Sequence, residues 1–391
     1  MLAALPDRLV ILVPTILQAA FFFALGASVG SFVNVVAGRW PLGQDFVAPA
    51  SRCTTCGRSL AWWENIPILS WIALRGRCRT CGVWIGSEHV WVEFGVGLLF
   101  AGTVVLLYGG LLSGEAELAW WGRHGAWGSS PMLLAVLVLW GCLAAASLID
   151  AATGYIPIGI TGLALTVALV AAVVQGVLTD PSAHAGWPSG TLPVAWQIMG
   201  LGGLLGAAVA CALLWSGMLP RSFASIEPDR ELLPAEARRE VLRETPFILI
   251  PVVGACLALV LVRPEALPGP LAALGTASVG MLVGGGSIWL TRILGTLGFG
   301  REAMGLGDVH LMAAAGAVIG WRDALLAYLI APFVALGWIA VSGALARMRG
   351  GATRELPYGP HLALAVAIAF LGRPWVVPMA RALFMPSPAG A

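Results

Sequence analysis

The chain carries too little charge to cover the surface of a water-soluble protein. Charged residues make up 11% of its 391 positions and hydrophobic residues 59%, with a mean hydropathy of +0.87. A soluble domain carries about a quarter charged residues. Lysine is absent, so all 22 basic residues are arginines. This composition excludes a soluble globule. The lack of a long basic stretch interleaved with aromatic residues excludes nucleic acid as a partner.

Apolar stretches recur along the chain and predict helices that span a lipid bilayer. A helix needs about 20 apolar residues to cross a hydrocarbon core of roughly 30 Å. We predict about ten spans, with a range of roughly eight to ten, because boundaries are imprecise and one window is short. The windows lie at 10–37, 89–112, 131–149, 156–178, 196–217, 247–263, 270–297, 309–320, 323–345 and 359–382. The predicted fold class is an all-α, polytopic membrane helical bundle.

The arginines are concentrated in three connections and predict which loops are cytoplasmic. The loops at 38–88, 218–246 and 346–356 hold most of them. The loops after the second and fourth spans hold only Arg123. Short loops rich in arginine stay on the cytoplasmic side. Ten spans with the N-terminus outside place all three arginine-rich loops in the cytoplasm.

Two aspartates lie at ends of spans that this topology brings to one face. Asp150 lies just past the end of the third window and precedes Gly154-Tyr-Ile-Pro157. Asp308 lies in Gly305-Leu-Gly-Asp308, between the seventh and eighth windows. Four spans separate them, and an even number returns the chain to the same side. An ionisable residue at the membrane edge indicates function. A single aspartate there could instead cap a helix or mark topology, so the prediction depends on the pair.

Two neighbouring carboxyl groups can hydrolyse a peptide bond. One activates water as a base, and the other donates a proton to the carbonyl and the leaving amine. Such groups share one proton, because two like charges cannot both ionise cheaply at short distance. The five histidines are scattered, and no Ser/His/Asp or His-Glu-x-x-His arrangement competes. We therefore predict an aspartyl protease with Asp150 and Asp308 as catalytic residues.

Four of the seven cysteines form two Cys-x-x-Cys turns in the loop at 38–88. Cys53-Thr-Thr-Cys56 and Cys78-Arg-Thr-Cys81 are separated by 21 residues. Two such turns can bring four thiolates into the tetrahedron of a structural Zn²⁺ site. A cytoplasmic position disfavours disulfides. We predict a small cytoplasmic zinc-knuckle domain, with unrelated free thiols or a redox pair as alternatives.

Longer motifs in the chain resemble those of the type IV prepilin leader peptidases. Residues 26–41 are similar to that family's opening motif. Residues 51–100 hold both cysteine pairs and Glu93-Phe-Gly-Val-Gly97. Residues 305–321 and 356–360 resemble its catalytic half. The motifs occur in the family's order and are specific as a set.

The resemblance implies a bifunctional enzyme of the bacterial inner membrane, a GxGD-type aspartyl protease. Family members cut the leader from prepilins and pseudopilins at the cytoplasmic face, then N-methylate the new amino terminus with S-adenosylmethionine. It also implies that Asp150 and Asp308 are the protease pair, and that the four-Cys loop, Glu93 and Gly97 belong to the methylation half. Ile158 stands where the family usually has aspartate, and His310 where it usually has lysine.

The expected organisation is a protease domain preceded by the four-Cys loop. The segments are a first span at 1–37, the four-Cys loop at 38–88, a second span and outer loop at 89–130, the protease membrane domain at 131–382 with an inserted loop and span pair around 196–270, and a tail at 383–391. Residues 227–244 could form an amphipathic helix, but we favour a solvated connector.

Three alternative functions remain open from the sequence. They are a protease without methylation activity, an ion-coupled transporter and a non-catalytic scaffold. The transporter is disfavoured because its ion-binding carboxylates would lie near the midplane of the membrane rather than at one face.

Overall fold

The apolar stretches form helices, because a chain in lipid must satisfy its backbone hydrogen bonds internally. The computed structural model describes residues 5–47, 51–109, 119–179, 192–223, 230–263, 265–349 and 357–375. The helices of these residues are α1 Leu5–Arg39, α2 Leu69–Ala73, α3 Glu88–Tyr108, α4 Ala119–Gly128, α5 Ser130–Thr153, α6 Ile158–Leu178, α7 Val194–Trp215, α8 Pro234–Glu244, α9 Pro246–Leu261, α10 Gly269–Phe299, α11 Leu306–Ile319, α12 Trp321–Arg349 and α13 Tyr358–Leu371. Over this part of the chain, β-pairing is limited to two isolated bridges in the four-Cys loop.

The predicted multi-span helical bundle is confirmed. Eight helical stretches of the described residues are long and apolar enough to cross a membrane. They are Val13–Leu42, Glu88–Tyr108, Ser130–Thr153, Ile158–Leu178, Val194–Trp215, Pro234–Leu261, Gly269–Phe299 and Trp321–Met348. The two remaining predicted windows correspond to shorter apolar helices, α11 and α13. The predicted tail at 383–391 lies outside the described residues.

Helix α11 lies at the centre of the bundle and determines where Asp308 is held. Ten of its fourteen residues are buried, and it contacts α5, α6, α10, α12 and α13. Small residues allow it to approach α10 closely, since a Cβ at Gly280 would overlap the carbonyl oxygen of Gly316. The helix ends at Gly320, whose positive φ of 88° lets the chain reverse into α12.

The structure corrects the prediction of a solvated connector at 227–244. Residues Pro234–Glu244 form α8, which packs against α10 and buries Ala237, Glu240 and Glu244. Glu240 and Glu244 are four residues apart and therefore lie on one face of the helix. Because both residues are acidic, a hydropathy pattern does not identify this face as buried. The face is stabilised by hydrogen bonds rather than by apolar side chains.

Candidate active site and metal centre

Asp150 and Asp308 lie in the wall of one cavity of about 820 Å³. The cavity is lined by the end of α5, the turn at 154–158, the end of α10, the loop at 300–305, the start of α11 and the start of α13. Asp150 is 5% exposed and Asp308 is 7% exposed. The structure therefore brings together two carboxyl groups from distant parts of the sequence in a largely desolvated place.

The position of Asp150 follows from how α5 ends. Gly154 adopts the left-handed conformation with φ 69°, and its N–H donates to the Asp150 carbonyl oxygen at 2.7 Å. This is a glycine C-cap, and Pro157 then prevents the helix from continuing. The Asp150 side chain accepts a hydrogen bond at Oδ2 from the Gly359 N–H at 3.0 Å. A Cβ at Gly359 would lie 2.5 Å from the same oxygen, so this approach requires glycine.

Asp308 lies in the first turn of α11. Gly305 precedes the helix with extended backbone, and the Asp308 N–H donates to its carbonyl oxygen at 3.3 Å. Gly307 packs against Ile156, and a Cβ there would lie 2.6 Å from the Ile156 Cβ. The Oδ1 atom of Asp308 is buried and has no hydrogen-bond partner among the described residues. This carboxyl oxygen is therefore held in the cavity wall without a hydrogen-bond donor from those residues.

The two departures from the family pattern occupy different surroundings. Ile158 begins α6, is 54% exposed and lines the cavity. His310 is not among the residues that line the cavity, and its Nδ1 lies 2.9 Å from the Leu306 carbonyl oxygen. The substitution at 158 therefore changes the cavity wall directly, whereas the one at 310 changes the flank of α11.

Three residues beside the cavity were not predicted as site residues from the sequence. Gly359 and Tyr358 belong to a motif that the sequence singled out; Tyr358 lines the cavity, and Gly359 contacts Asp150 across 209 positions of sequence. Arg292 is 2% exposed and lies within the apolar window 270–297. An arginine inside an apolar span was a usable signal, because a buried charge there is costly without partners.

The four cysteines of the two knuckles converge. Their Sγ atoms all lie within 4.8 Å of one another, and Cys53 Sγ lies 3.8 Å from Cys81 Sγ. The N–H groups of Cys81 and Thr80 lower the pKa of the Cys78 thiol to about 6. Similar N–H groups lower the pKa of Cys53. Thiolate is the form that binds metal, so this cluster can hold a metal ion.

The two knuckles repeat the same backbone geometry. Cys53 N–H donates to the Arg58 carbonyl oxygen at 2.9 Å, and Cys78 N–H donates to that of Val83 at 2.9 Å. Gly57 and Gly82 each have a φ of 69° and follow the second cysteine of their pair. Such turns aim successive N–H groups at the sulfur atoms and are typical of structural Zn²⁺ sites.

A second cavity of about 420 Å³ lies between the knuckles and the start of α3. Glu93 lines it, and its Oε2 accepts the Ile68 N–H at 2.7 Å. Ile68 has a φ of 63°, an unfavourable value for a β-branched residue. Gly97 is not in the lining; it packs α3 against α1, where a Cβ would lie 2.9 Å from the Phe23 ring.

Two family models match parts of the chain. The model of the bacterial peptidase A24 N-terminal domain matches residues 24–107, which include the four cysteines, Glu93 and Gly97. The model of the type IV leader peptidase family matches residues 245–340, which include Asp308. Asp150 lies between the two matched ranges.

Several curated proteins are similar to the chain, and each is named a prepilin leader peptidase/N-methyltransferase. One from Myxococcus xanthus (strain DK1622) is 60% identical over 84 residues, which are 22% of this chain and 25% of that relative. One from Burkholderia pseudomallei (strain K96243) is 27% identical over 390 residues, covering 93% of this chain and 88% of the relative. One from Klebsiella pneumoniae is 26% identical over 312 residues, covering 78% and 87% respectively. No solved structure matches the chain significantly.

Proposed function

The chain belongs to the type IV leader peptidase family, and on that premise we propose that it cleaves the leader peptides of type IV prepilins or type II secretion pseudopilins. We further propose that it acts at the cytoplasmic face of the bacterial inner membrane and N-methylates the new amino terminus. The observation that carries the proteolytic proposal is the shared cavity of Asp150 and Asp308. Both predicted catalytic carboxyl groups line it; Asp150 accepts a backbone N–H, and Asp308 has a buried oxygen without a partner among the described residues.

The surroundings of the two aspartates support different roles. We assign the base to Asp150, because the Gly359 N–H stabilises its carboxylate form. We assign the acid to Asp308, because its buried Oδ1 has no donor within the described part of the chain. A carboxylic acid at that position would donate a hydrogen bond to the oxygen of the scissile carbonyl.

The reaction then proceeds as a general acid–base hydrolysis. Asp150 takes a proton from water as the water oxygen bonds to the carbonyl carbon, while Asp308 stabilises the developing charge on the carbonyl oxygen. The carbon–nitrogen bond breaks as the tetrahedral intermediate collapses, and the leaving amine receives the proton held by Asp150. The aspartates return to their starting protonation states, and no covalent intermediate is required.

The apolar side chains of the cavity wall favour a substrate with a hydrophobic residue beside the scissile bond. Tyr155, Ile158, Phe299, Leu306 and Tyr358 all line it. An extended peptide segment at this place would find apolar surface on several sides. The positive end of α11 also faces the cavity and would favour the developing negative charge on the substrate.

We propose that Cys53, Cys56, Cys78 and Cys81 hold a structural Zn²⁺ ion. Four cysteine sulfur atoms within 4.8 Å of one another suit a closed tetrahedral site. A bound Zn²⁺ would cross-link the two knuckles and order the loop. It would leave no open position for chemistry, since all four ligands come from the protein.

We propose that the second cavity takes S-adenosylmethionine, which supplies the methyl group when bound. The names of the similar proteins, all prepilin leader peptidase/N-methyltransferases, support the activity. The lining supports the place, because it combines Trp71 and Trp84, which can contact a purine ring, with Glu88 and Glu93, which can face a cation. The Glu93 carboxylate already holds the Ile68 backbone and so also shapes the cavity.

Purified wild-type protein and the variants Asp150→Asn and Asp308→Asn, incubated with a synthetic prepilin, test this proposal. Wild type is expected to release the leader, and mass spectrometry is expected to find an added methyl group on the new amino terminus when S-adenosylmethionine is supplied. Each variant is expected to lose cleavage by at least about 1,000-fold. Asp323→Asn is the matched control, because Asp323 is equally buried at 2% exposure but lies outside the cavity. Cleavage by either test variant at the wild-type rate would falsify the assigned pair.

A further inference from the structure

Arg292 is a buried cation close to the C-terminal end of α10 and joins three segments. Its Nε donates to Glu244 Oε1 on α8 at 2.9 Å, and its Nη1 donates to Glu302 Oε1 at 2.5 Å. The same Nη1 also donates to the carbonyl oxygen of Met304. The guanidinium group lies over the Phe223 ring, with Cζ 4.7 Å from the ring centroid. A charge buried to this extent is stable only with such partners.

Two of the acceptors belong to the loop at 300–305, which joins α10 to α11. Glu302, Ala303, Met304 and Gly305 of this loop line the cavity that holds the aspartates. Asp308 is the third residue after Gly305. Arg292 itself does not line the cavity, and its contacts with the cavity wall are those with Glu302 and Met304.

The loop is held at further points by its neighbours. The Leu232 N–H, from the segment before α8, donates to the Gly300 carbonyl oxygen at 2.5 Å. The Ala303 N–H donates to Thr296 Oγ1 at 3.4 Å. These contacts and those of Arg292 restrain both ends of a segment that otherwise has no helical structure.

Glu244 attaches α8 to α10 around the same arginine. Its Oε2 accepts the Trp289 Nε1–H at 2.9 Å, and its Oε1 accepts the Ser222 hydroxyl at 2.9 Å. The neighbouring Glu240 accepts the Phe223 N–H at 2.8 Å. The inserted segment before α9 therefore supplies half of the support for the arginine.

We propose that Arg292 is a positioning residue for Asp308, and that Glu244 on α8 holds it in place. Arg292, held by Glu244, binds Glu302 and Met304; we call this set of contacts the clamp. The clamp fixes the loop at 300–305. It therefore also fixes the position at which α11 presents Asp308 to the substrate. This inference rests on the proposed proteolytic function. It also gives the inserted segment 218–246 a role in catalysis.

Arg292→Lys is the central test. Lysine keeps the positive charge but presents one ammonium group instead of a planar fork, so it cannot reach α8 and both loop acceptors together. We expect kcat for prepilin cleavage to fall by about 10- to 100-fold while KM changes by less than about threefold, because the substrate surface is retained and only the acid is displaced.

Arg373→Lys is the matched control. Arg373 forms another buried ion pair, with its Nη1 3.5 Å from Asp323 Oδ2, and it is 5% exposed. The same substitution there is expected to destabilise the fold without a specific loss of kcat. Thermal unfolding gives the folded fraction of each variant at the assay temperature, and kcat is calculated per folded protein. An equal kcat in the two variants would overturn the positioning role.

Hydrogen–deuterium exchange of the amides at 300–308 gives a measurement that does not depend on activity. We expect Arg292→Lys and Glu244→Gln to speed exchange in this segment by about 10-fold or more, and Arg373→Lys to leave it unchanged. Unchanged exchange in the first two variants would refute the clamp. If wild-type protein failed to cleave prepilins, the proposed function would fall, and exchange would still decide whether Arg292 fixes the loop.

Discussion

The carboxyl groups of Asp150 and Asp308 differ in what their oxygens contact. Asp150 receives a backbone N–H from Gly359, whereas Asp308 keeps one buried oxygen without a partner in the described residues. This asymmetry separates the two proposed roles of base and acid. The sequence identified both aspartates through their place at span ends. It did not identify Gly359 as a partner, because that contact depends on how α13 packs beside α5.

Gly359→Ala tests the contact directly. A Cβ at this position would lie 2.5 Å from Asp150 Oδ2, so the carboxylate must move and the N–H···O bond must lengthen. We expect kcat for leader cleavage to fall by about 10- to 100-fold, with thermal stability changed far less. Steady-state kinetics with a prepilin substrate measure the effect. Gly343→Ala is the control, because a Cβ there meets nothing within 4 Å; equal rates in the two variants would contradict the importance of this contact.

At the scale of elements, hydropathy predicted the helices that face lipid and failed where burial is polar. The windows at 89–112 and 156–178 correspond closely to α3 and α6, because their apolar surface contacts lipid or core along the whole length. Helix α8 was missed, since its buried face carries Glu240 and Glu244, whose partners come from other segments. A buried polar face of this kind can be identified only when its hydrogen-bond partners in other segments are known.

The four-Cys loop is an element whose order we expect to depend on its metal. Cys56→Ser removes one of four ligands and is expected to reduce bound zinc from about one ion per chain to well below half. Elemental analysis of the purified protein gives this ratio, and limited proteolysis reports whether the loop unfolds. Cys211→Ser is the control, because Cys211 lies in α7, away from the cluster. Retention of a full zinc complement by Cys56→Ser would argue against the four-cysteine site.

Across the whole molecule, the order of spans explains why distant segments share one face. In the predicted topology the chain crosses the membrane an even number of times between the end of α5 and the start of α11, and the same count places α8 on their side. Arginine distribution predicted this arrangement without knowledge of any contact. The distances within the cavity could not be predicted, because they result from close approaches such as that between Gly280 and Gly316.

The topology can be measured with reporter fusions. An enzyme that is active only in the oxidising compartment outside the membrane is expected to be inactive when fused after Met218 and active when fused after Val262. The first point follows α7 and the second follows α9, which run in opposite directions through the predicted bilayer. A fluorescent reporter that folds only in the cytoplasm should give the reverse pattern. The same reporter activity at both fusion points would contradict the predicted number of crossings, which places the two aspartates on the same side of the membrane.

Helix α11 is too short to cross the membrane alone, and this links the protein to the thickness of its bilayer. Its fourteen residues extend about 21 Å, against roughly 30 Å of hydrocarbon. Neighbouring longer helices cover the difference, so Asp308 sits at a depth set by how the lipid fits around them. The acyl-chain length of the surrounding lipid then becomes a physical variable of the reaction. A thicker bilayer would bury the cavity entrance more deeply, and a thinner one would bring it closer to water.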